Sequence, residues 1–216
     1  EEMVETCVHV ERELPHVHLR GVGVNLSCYG SIRPTPEKMN ELIDIAREVE
    51  RRIGRPLETV SGGATSSYTL VHSGAMPEGI NHLRIGDREV HFEFGRSIVA
   101  ECGELITTVL FNKTTATGRK LVIVDASMTE LVRPAMYGSY HNIENITAKD
   151  DEVREKYTVV GTACESTDVF DENVTLRRTH RGDLLTIKSA GAYGMSMASR
   201  YNLHDLPGAV YSDEIK

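Results

Sequence analysis

Leu57-Glu58-Thr59-Val60-Ser61-Gly62-Gly63-Ala64-Thr65-Ser66-Ser67 decides the class of fold. A β-rich run over 57–60 ends in a glycine pair. Small hydroxyl residues follow and lead into a short helix predicted over 66–74. Upstream, Val17, Leu19, Val22 and Val24 mark a buried strand over 17–25. Between the two strands, Thr35-Pro36 opens a helix, with Thr35 as N-cap and Pro36 at the first helical position. Met39, Leu42, Ile43, Ala46, Val49 and Ile53 then recur at three- and four-residue spacing as one apolar stripe. Gly54 offers a left-handed stop. A third strand is expected over 80–85. Strand-helix-strand-helix-strand predicts parallel pairing, an α/β segment.

Past residue 95 the character changes. Leu105–Phe111, Lys120–Val124, Tyr157–Val160 and Leu184–Ile187 are short β-rich runs, separated by turn groups such as Thr117-Gly118 and Arg181-Gly182-Asp183. That is an antiparallel β pattern. The expected division is 1–95 and 96–216, with the boundary near 95–105.

The 216 residues suffice to bury a core without disulfides or metals. Net charge is −8, from 24 basic and 32 acidic residues. Such a surface argues against a general nucleic-acid or anionic-membrane binder, while leaving room for one small phosphorylated ligand in a local pocket. Cys7, Cys28, Cys102 and Cys164 show no CxxC spacing, and no metal site is expected. No apolar run reaches the roughly 20 residues that span a bilayer. The acidic start, Glu1-Glu2-Met3-Val4-Glu5, has no signal-peptide pattern and reads as though cut from something longer. A reduced, cytoplasmic protein is expected.

Four places could carry chemistry. Ser61–Ser67 could offer backbone N–H groups and hydroxyls to an anion at a helix start, or be a plain βα turn. No Walker lysine and no GxGxxG accompanies it. Glu93-Phe94-Gly95-Arg96-Ser97 places a carboxylate and a guanidinium around a turn; a local ion pair is the bland alternative. Cys164-Glu165-Ser166-Thr167-Asp168 combines a thiol with carboxylates, either a proton donor beside a cation binder or a buried structural Cys. Gly191-Ala192-Tyr193-Gly194 sets small residues around a Tyr, which either leaves its ring open to a ligand or packs it in a turn.

Together these stretches resemble a family. Leu121-Val122-Ile123-Val124-Asp125-Ala126-Ser127-Met128, then Leu131-Val132-Arg133-Pro134-Ala135-Met136-Tyr137, is similar to the C-terminal part of diaminopimelate decarboxylases. So are Val160–Asp168 and Gly191–Ser199. Glu93-Phe94-Gly95-Arg96 resembles that family's Glu-Pro-Gly-Arg turn, with Phe94 where Pro is usual. The likeness covers about 91–210. Residues 17–86 resemble the later barrel strands of ornithine- and alanine-type racemases, which share the cofactor fold. The resemblance implies an alanine-racemase-like fold: a partial (β/α) barrel followed by an antiparallel β domain, with pyridoxal 5'-phosphate as cofactor.

It also implies roles. Glu93 would pair with the pyridine nitrogen and strengthen the electron sink. Gly62, Gly63, Gly95 and Arg96 would hold the phosphate. Arg96, Arg133 and Tyr137 would grip the substrate carboxylate, and Glu165 the distal ammonium. Tyr193 would touch cofactor and substrate. Cys164 would return a proton after carbon dioxide leaves. The Cys164-Glu165 loop would serve a partner subunit, so a homodimer or a complementing polypeptide is expected.

The departures are as specific. Such enzymes need a lysine to tether the coenzyme, in a run like Tyr-x-x-Lys-Ala-Asn. Lysines at 38, 113, 120, 149, 156, 188 and 216 have no such context. A full barrel also needs about 200 residues. Three readings follow. One is a fragment or recombined chain related to meso-diaminopimelate decarboxylase, incomplete alone. The second is an amino-acid racemase, and the third a non-catalytic assembly or scaffold chain.

Overall fold

The computed structural model describes residues 1–25, 35–64 and 82–214. The chain divides into two compact units, Glu1–Gly95 and Arg96–Lys216. Each has a hydrophobic core of its own.

In the first unit, helix α1 (Glu2–Glu13) packs on helix α2 (Pro36–Ile53). Composition alone gave no sign of α1. It buries Val4, Cys7 and Val8 and is tied down by Glu5–Arg52 and Glu11–Arg55 ion pairs. Helix α2 begins as its sequence dictates. Thr35 Oγ1 accepts the Lys38 N–H at 3.4 Å, Pro36 opens the first turn, and Gly54 closes the helix at φ 78. Its stripe of Met39, Leu42, Ile43, Ala46 and Val49 lies buried against Val22, Leu57 and Val60.

Val22 and Val60 belong to a small parallel sheet, β1 (Gly21–Gly23), β2 (Thr59–Ser61) and β3 (Glu89–His91), in the order β1-β2-β3. Val22 stands opposite Val60, and Val60 opposite Val90. The strand expected over 17–25 is confined to 21–23, and Val17 is exposed. The helix expected over 66–74 lies outside the described residues.

The strand expected over 80–85 is a misreading. Residues 82–85 form no strand, and the third strand is β3. Leu83 and Ile85 alternate like strand residues and do pack on the core. Their backbone is satisfied by side chains instead of a ladder. Asn40 donates to the His82 carbonyl at 3.0 Å and accepts the Arg84 N–H at 2.8 Å, and Arg88 donates to the Ile85 carbonyl at 2.7 Å.

The second unit begins with a short helix, α3 (Gly95–Val99), and continues in six strands. These are β4 (Leu105–Thr114), β5 (Lys120–Val124), β6 (Ile143–Asn145), β7 (Arg154–Val160), β8 (Val169–Arg177) and β9 (Leu184–Ile187), ordered β6-β9-β4-β5-β7-β8. Pairing is antiparallel except between β5 and β7, which run parallel, Leu121 opposite Thr158. The expectation of a purely antiparallel sheet is corrected there. A parallel pair needs a long crossover, and residues 125–153 supply it. They carry helix α4 (Arg133–Tyr137) and β6, which pairs with β9. The core is Val109, Val122, Val124, Leu131, Ile143, Val159, Leu176, Leu185 and Ile187.

Candidate active site

In the first unit, the parallel ladder runs on past β2 and β3. Gly62 N–H donates to the His91 carbonyl at 2.8 Å, and Glu93 N–H to the Gly63 carbonyl at 2.9 Å. Phe92 and Phe94 stack at 5.2 Å between ring centroids. Alternation places Glu93 on the opposite side from these rings. One of its carboxylate oxygens accepts from Ser61 Oγ at 2.7 Å. Glu93 is exposed at the carboxyl end of the strands, the end where ligands meet parallel β/α sheets.

Gly63 sits at φ 79, and a Cβ there would fall 2.3 Å from the Val24 carbonyl oxygen. The glycine is thus demanded by the turn itself. The N–H groups of Gly62 and Gly63 already donate to His91 and to Ser61 Oγ (3.3 Å). They shape the turn into Ala64 and leave no free N–H of their own for an anion. Gly95 N–H likewise donates to the Glu93 carbonyl at 3.0 Å.

In the second unit, three of the expected residues come together, Arg133, Tyr137 and Tyr193, and the charge of Arg96 is felt there. Arg133 is buried at the start of α4, 7% exposed. Its guanidinium carbon lies 5.3 Å from the Tyr137 ring centroid and 5.4 Å from that of Tyr193, and it donates to Ser139 Oγ at 3.2 Å. Neither Arg133 nor Arg96 has a carboxylate partner among the described residues. Burial and the charge of Arg96 press the Arg133 guanidinium below its usual value, and Tyr137 and Tyr193 pull it back up. A buried, unpaired cation is costly unless an anion completes it.

His141 joins this group and was missed in the sequence, where nothing but its nearness to the Arg133–Tyr137 run marks it. It is buried, with Nδ1 2.9 Å from the Lys188 carbonyl oxygen and Nε2 without any partner. The bond fixes the proton on Nδ1, so Nε2 carries a bare lone pair. Burial, helped by Arg133 and Arg96, keeps its pKa below the ordinary range.

Tyr193 stands at φ 67 in the Gly191–Gly194 turn, its ring half exposed. Gly191 is small because backbone meets backbone there. Its N–H donates to the Ala100 carbonyl at 2.9 Å, and a Cβ would fall 2.2 Å from the Val99 carbonyl oxygen. That contact fixes the turn and so aims Tyr193 over Arg133.

Cys164 and Glu165 lie apart from this group, on the exposed loop after β7. Asp168 builds the loop. It is buried and accepts the N–H groups of Met128 and Ala163, both at 2.7 Å, while burial raises its pKa. Cys164 N–H donates to Asn202 Oδ1 at 2.9 Å, and the Tyr201 hydroxyl donates to Glu165. Ser166 and Thr167 of the same loop line a pocket with Pro134, Ala135 and Ser139 of the α4 region. No cluster of His, Cys, Asp and Glu among them could hold a metal ion, and no helix among them is long and apolar enough to cross a membrane.

The family profile described as pyridoxal-dependent decarboxylase, C-terminal sheet domain, matches residues 7–191. The chain belongs to this family. A diaminopimelate decarboxylase of Bacteroides thetaiotaomicron is 51% identical over 98% of the chain and 57% of its own length. One from Archaeoglobus fulgidus is 35% identical over 93% of the chain and 50% of its own length. The match runs through the first unit as well as the second. A crystal structure of diaminopimelate decarboxylase from Helicobacter pylori complexed with L-lysine superposes with a TM-score of 0.76 at 30% identity, covering 95% of the chain and 52% of that protein. The chain thus shares the fold of pyridoxal-dependent decarboxylases and spans about half the length of the curated relatives it matches.

Proposed function

We propose that the chain carries the coenzyme edge and substrate grip of a pyridoxal-phosphate-dependent decarboxylase converting meso-diaminopimelate to lysine, with the tethering amine supplied from outside these residues. In this reading β1–β3 are an arc of a (β/α) barrel, residues 1–95, and 96–216 are the β domain of the alanine-racemase-like fold. The observation that carries it is Arg133: a buried guanidinium between Tyr137 and Tyr193, under the charge of Arg96 and without a carboxylate of its own. Such a site is finished by a carboxylate from a ligand.

The residues fit the coenzyme. Glu93 has one oxygen fixed by Ser61, and its exposed carboxylate can take a protonated ring nitrogen. When bound, pyridoxal phosphate supplies an electron sink for the bond that breaks. Gly62 and Gly63 shape the turn at the phosphate end, and Gly95 and Arg96 follow Glu93 there. Arg96, Arg133 and Tyr137 hold the substrate carboxylate, Tyr193 covers cofactor and substrate, and Glu165 meets the distal ammonium. Cys164 Sγ delivers the proton that replaces the departing carboxylate. The exposed loop that carries Cys164 and Glu165 fits service to a second subunit. Two of the lysines are engaged elsewhere, Lys120 with Glu155 at 2.6 Å and Lys188 with Glu144 at 2.8 Å, which fits an outside amine.

The test incubates the protein with pyridoxal phosphate and meso-diaminopimelate, with and without a separate polypeptide bearing the Tyr-x-x-Lys-Ala-Asn run. Carbon dioxide and lysine should form in equal amounts, and only with the complement. Racemisation without carbon dioxide would overturn the proposal. So would a pyridoxyl label on one of this chain's own lysines after borohydride reduction.

A further inference from the structure

Arg200–His204 follows the Tyr193 turn and contains two consecutive non-glycine residues in the left-handed region, Asn202 at φ 54 and Leu203 at φ 61. Backbone of this kind persists only where its surroundings over-determine it. Apolar packing does not do so, because Leu203 is 96% exposed. Polar contacts do. On one side, Asn202 Oδ1 accepts the Cys164 N–H and Tyr201 donates its hydroxyl to Glu165. On the other, Ser199 N–H donates to the Thr129 carbonyl at 2.9 Å. His204 Nδ1 lies 3.3 Å from Ser127 Oγ, 3.2 Å from Thr129 Oγ1 and 3.7 Å from a Glu130 oxygen.

The segment is therefore a strap, anchored on the turn after β5 and gripping the Cys164 loop by two side chains. We propose that Asn202 and Tyr201 are positioning residues for Cys164 and Glu165. Asn202 fixes the backbone that aims the thiol, and Tyr201 fixes the carboxylate that meets the substrate's distal ammonium. This assignment of purpose rests on the decarboxylase reading above. The grip itself does not.

The Asn202 side chain and its backbone strain can be separated. Asn202→Gly tolerates the left-handed backbone but removes Oδ1, Asn202→Asp keeps an acceptor, and Asn202→Ala loses both advantages. Amide exchange at Cys164, read by NMR, should rise about fivefold in the Gly variant, the ratio that one net hydrogen bond sets. It should stay near the parent rate in the Asp variant. Exchange in the Gly variant equal to the parent would overturn the proposal even if the Ala variant misfolds.

In the complemented decarboxylation assay, Tyr201→Phe should raise KM for meso-diaminopimelate more than it lowers kcat, and Asn202→Gly should mainly lower kcat. Kinetics that both substitutions leave at the parent values would also overturn the positioning role. Absence of decarboxylation in the parent protein would sink the functional reading instead, while the exchange data would still decide whether the strap holds the loop.

Discussion

Arg133 gains little for stability from where it sits. A guanidinium taken out of water without a carboxylate costs more than its ring contacts return. Arg133→Leu is therefore expected to leave the melting temperature unchanged or raise it. The same change should weaken substrate, measured as kcat/KM in the complemented assay, by at least about tenfold. Arg133→Lys should not restore it, since an ammonium cannot fork onto a carboxylate between two rings. A clear drop in melting temperature for Arg133→Leu would contradict this account.

His141 makes a second prediction. Its folded pKa lies below the usual value, so the unfolded chain binds the proton more readily. Stability should then fall as pH drops below about 6.5 and level off below the folded pKa. Asn in its place keeps a donor for the Lys188 carbonyl, so His141→Asn should flatten that slope in denaturant titrations between pH 7 and 5. At this scale the sequence was a partial guide. Arg133, Tyr137 and Tyr193 were legible because they stand in recognisable runs. His141 was not, because an unpaired ring nitrogen is a fact of three dimensions. The glycine pair at 62–63 reads as an anion cradle, yet its N–H groups go to the His91 carbonyl and to Ser61 Oγ.

Helix α2 shows how much an element can announce of itself. Cap, first-turn proline, apolar stripe and left-handed stop all lie within residues 35–54 and needed no distant partner to be read. Thr35→Ala should cost about 1 kcal/mol in chemical denaturation; a loss near zero would mean the 3.4 Å cap bond contributes nothing. The misread strand at 80–85 failed for the opposite reason. Leu83 and Ile85 alternate correctly, but Asn40 and Arg88, distant or downstream, decide that the backbone bonds go to side chains. Strand β3, with Val90 as its one apolar residue, carries almost no periodic signal and exists because β2 offers it a ladder. Strands β6 and β8 escaped notice likewise, being rich in polar residues.

Across the molecule, each unit is built around its own core, and acid should act on the second unit through Glu155. Lys120, 2.6 Å away, and the Tyr157 hydroxyl hold its carboxyl down at about 2. The support it lends to the β5–β7 region is complete above about pH 4.5 and lost as pH falls through about 2. Glu155→Gln should remove that part of the acid sensitivity, read as the change in second-unit amide exchange between pH 5 and 2. Identical acid profiles for parent and variant would count against it.

The one parallel pairing in the larger sheet has a consequence for change over time. Strands β5 and β7 lie in register side by side, so both feet of the crossover that carries Arg133, Tyr137 and His141 are planted on adjoining rails. Under the decarboxylase reading proposed above, substitutions along that span retune which amino acid is accepted while the rails beneath it stay as they are. The frame need not be rebuilt for the crossover above it to change, because both of its ends are held by the same ladder.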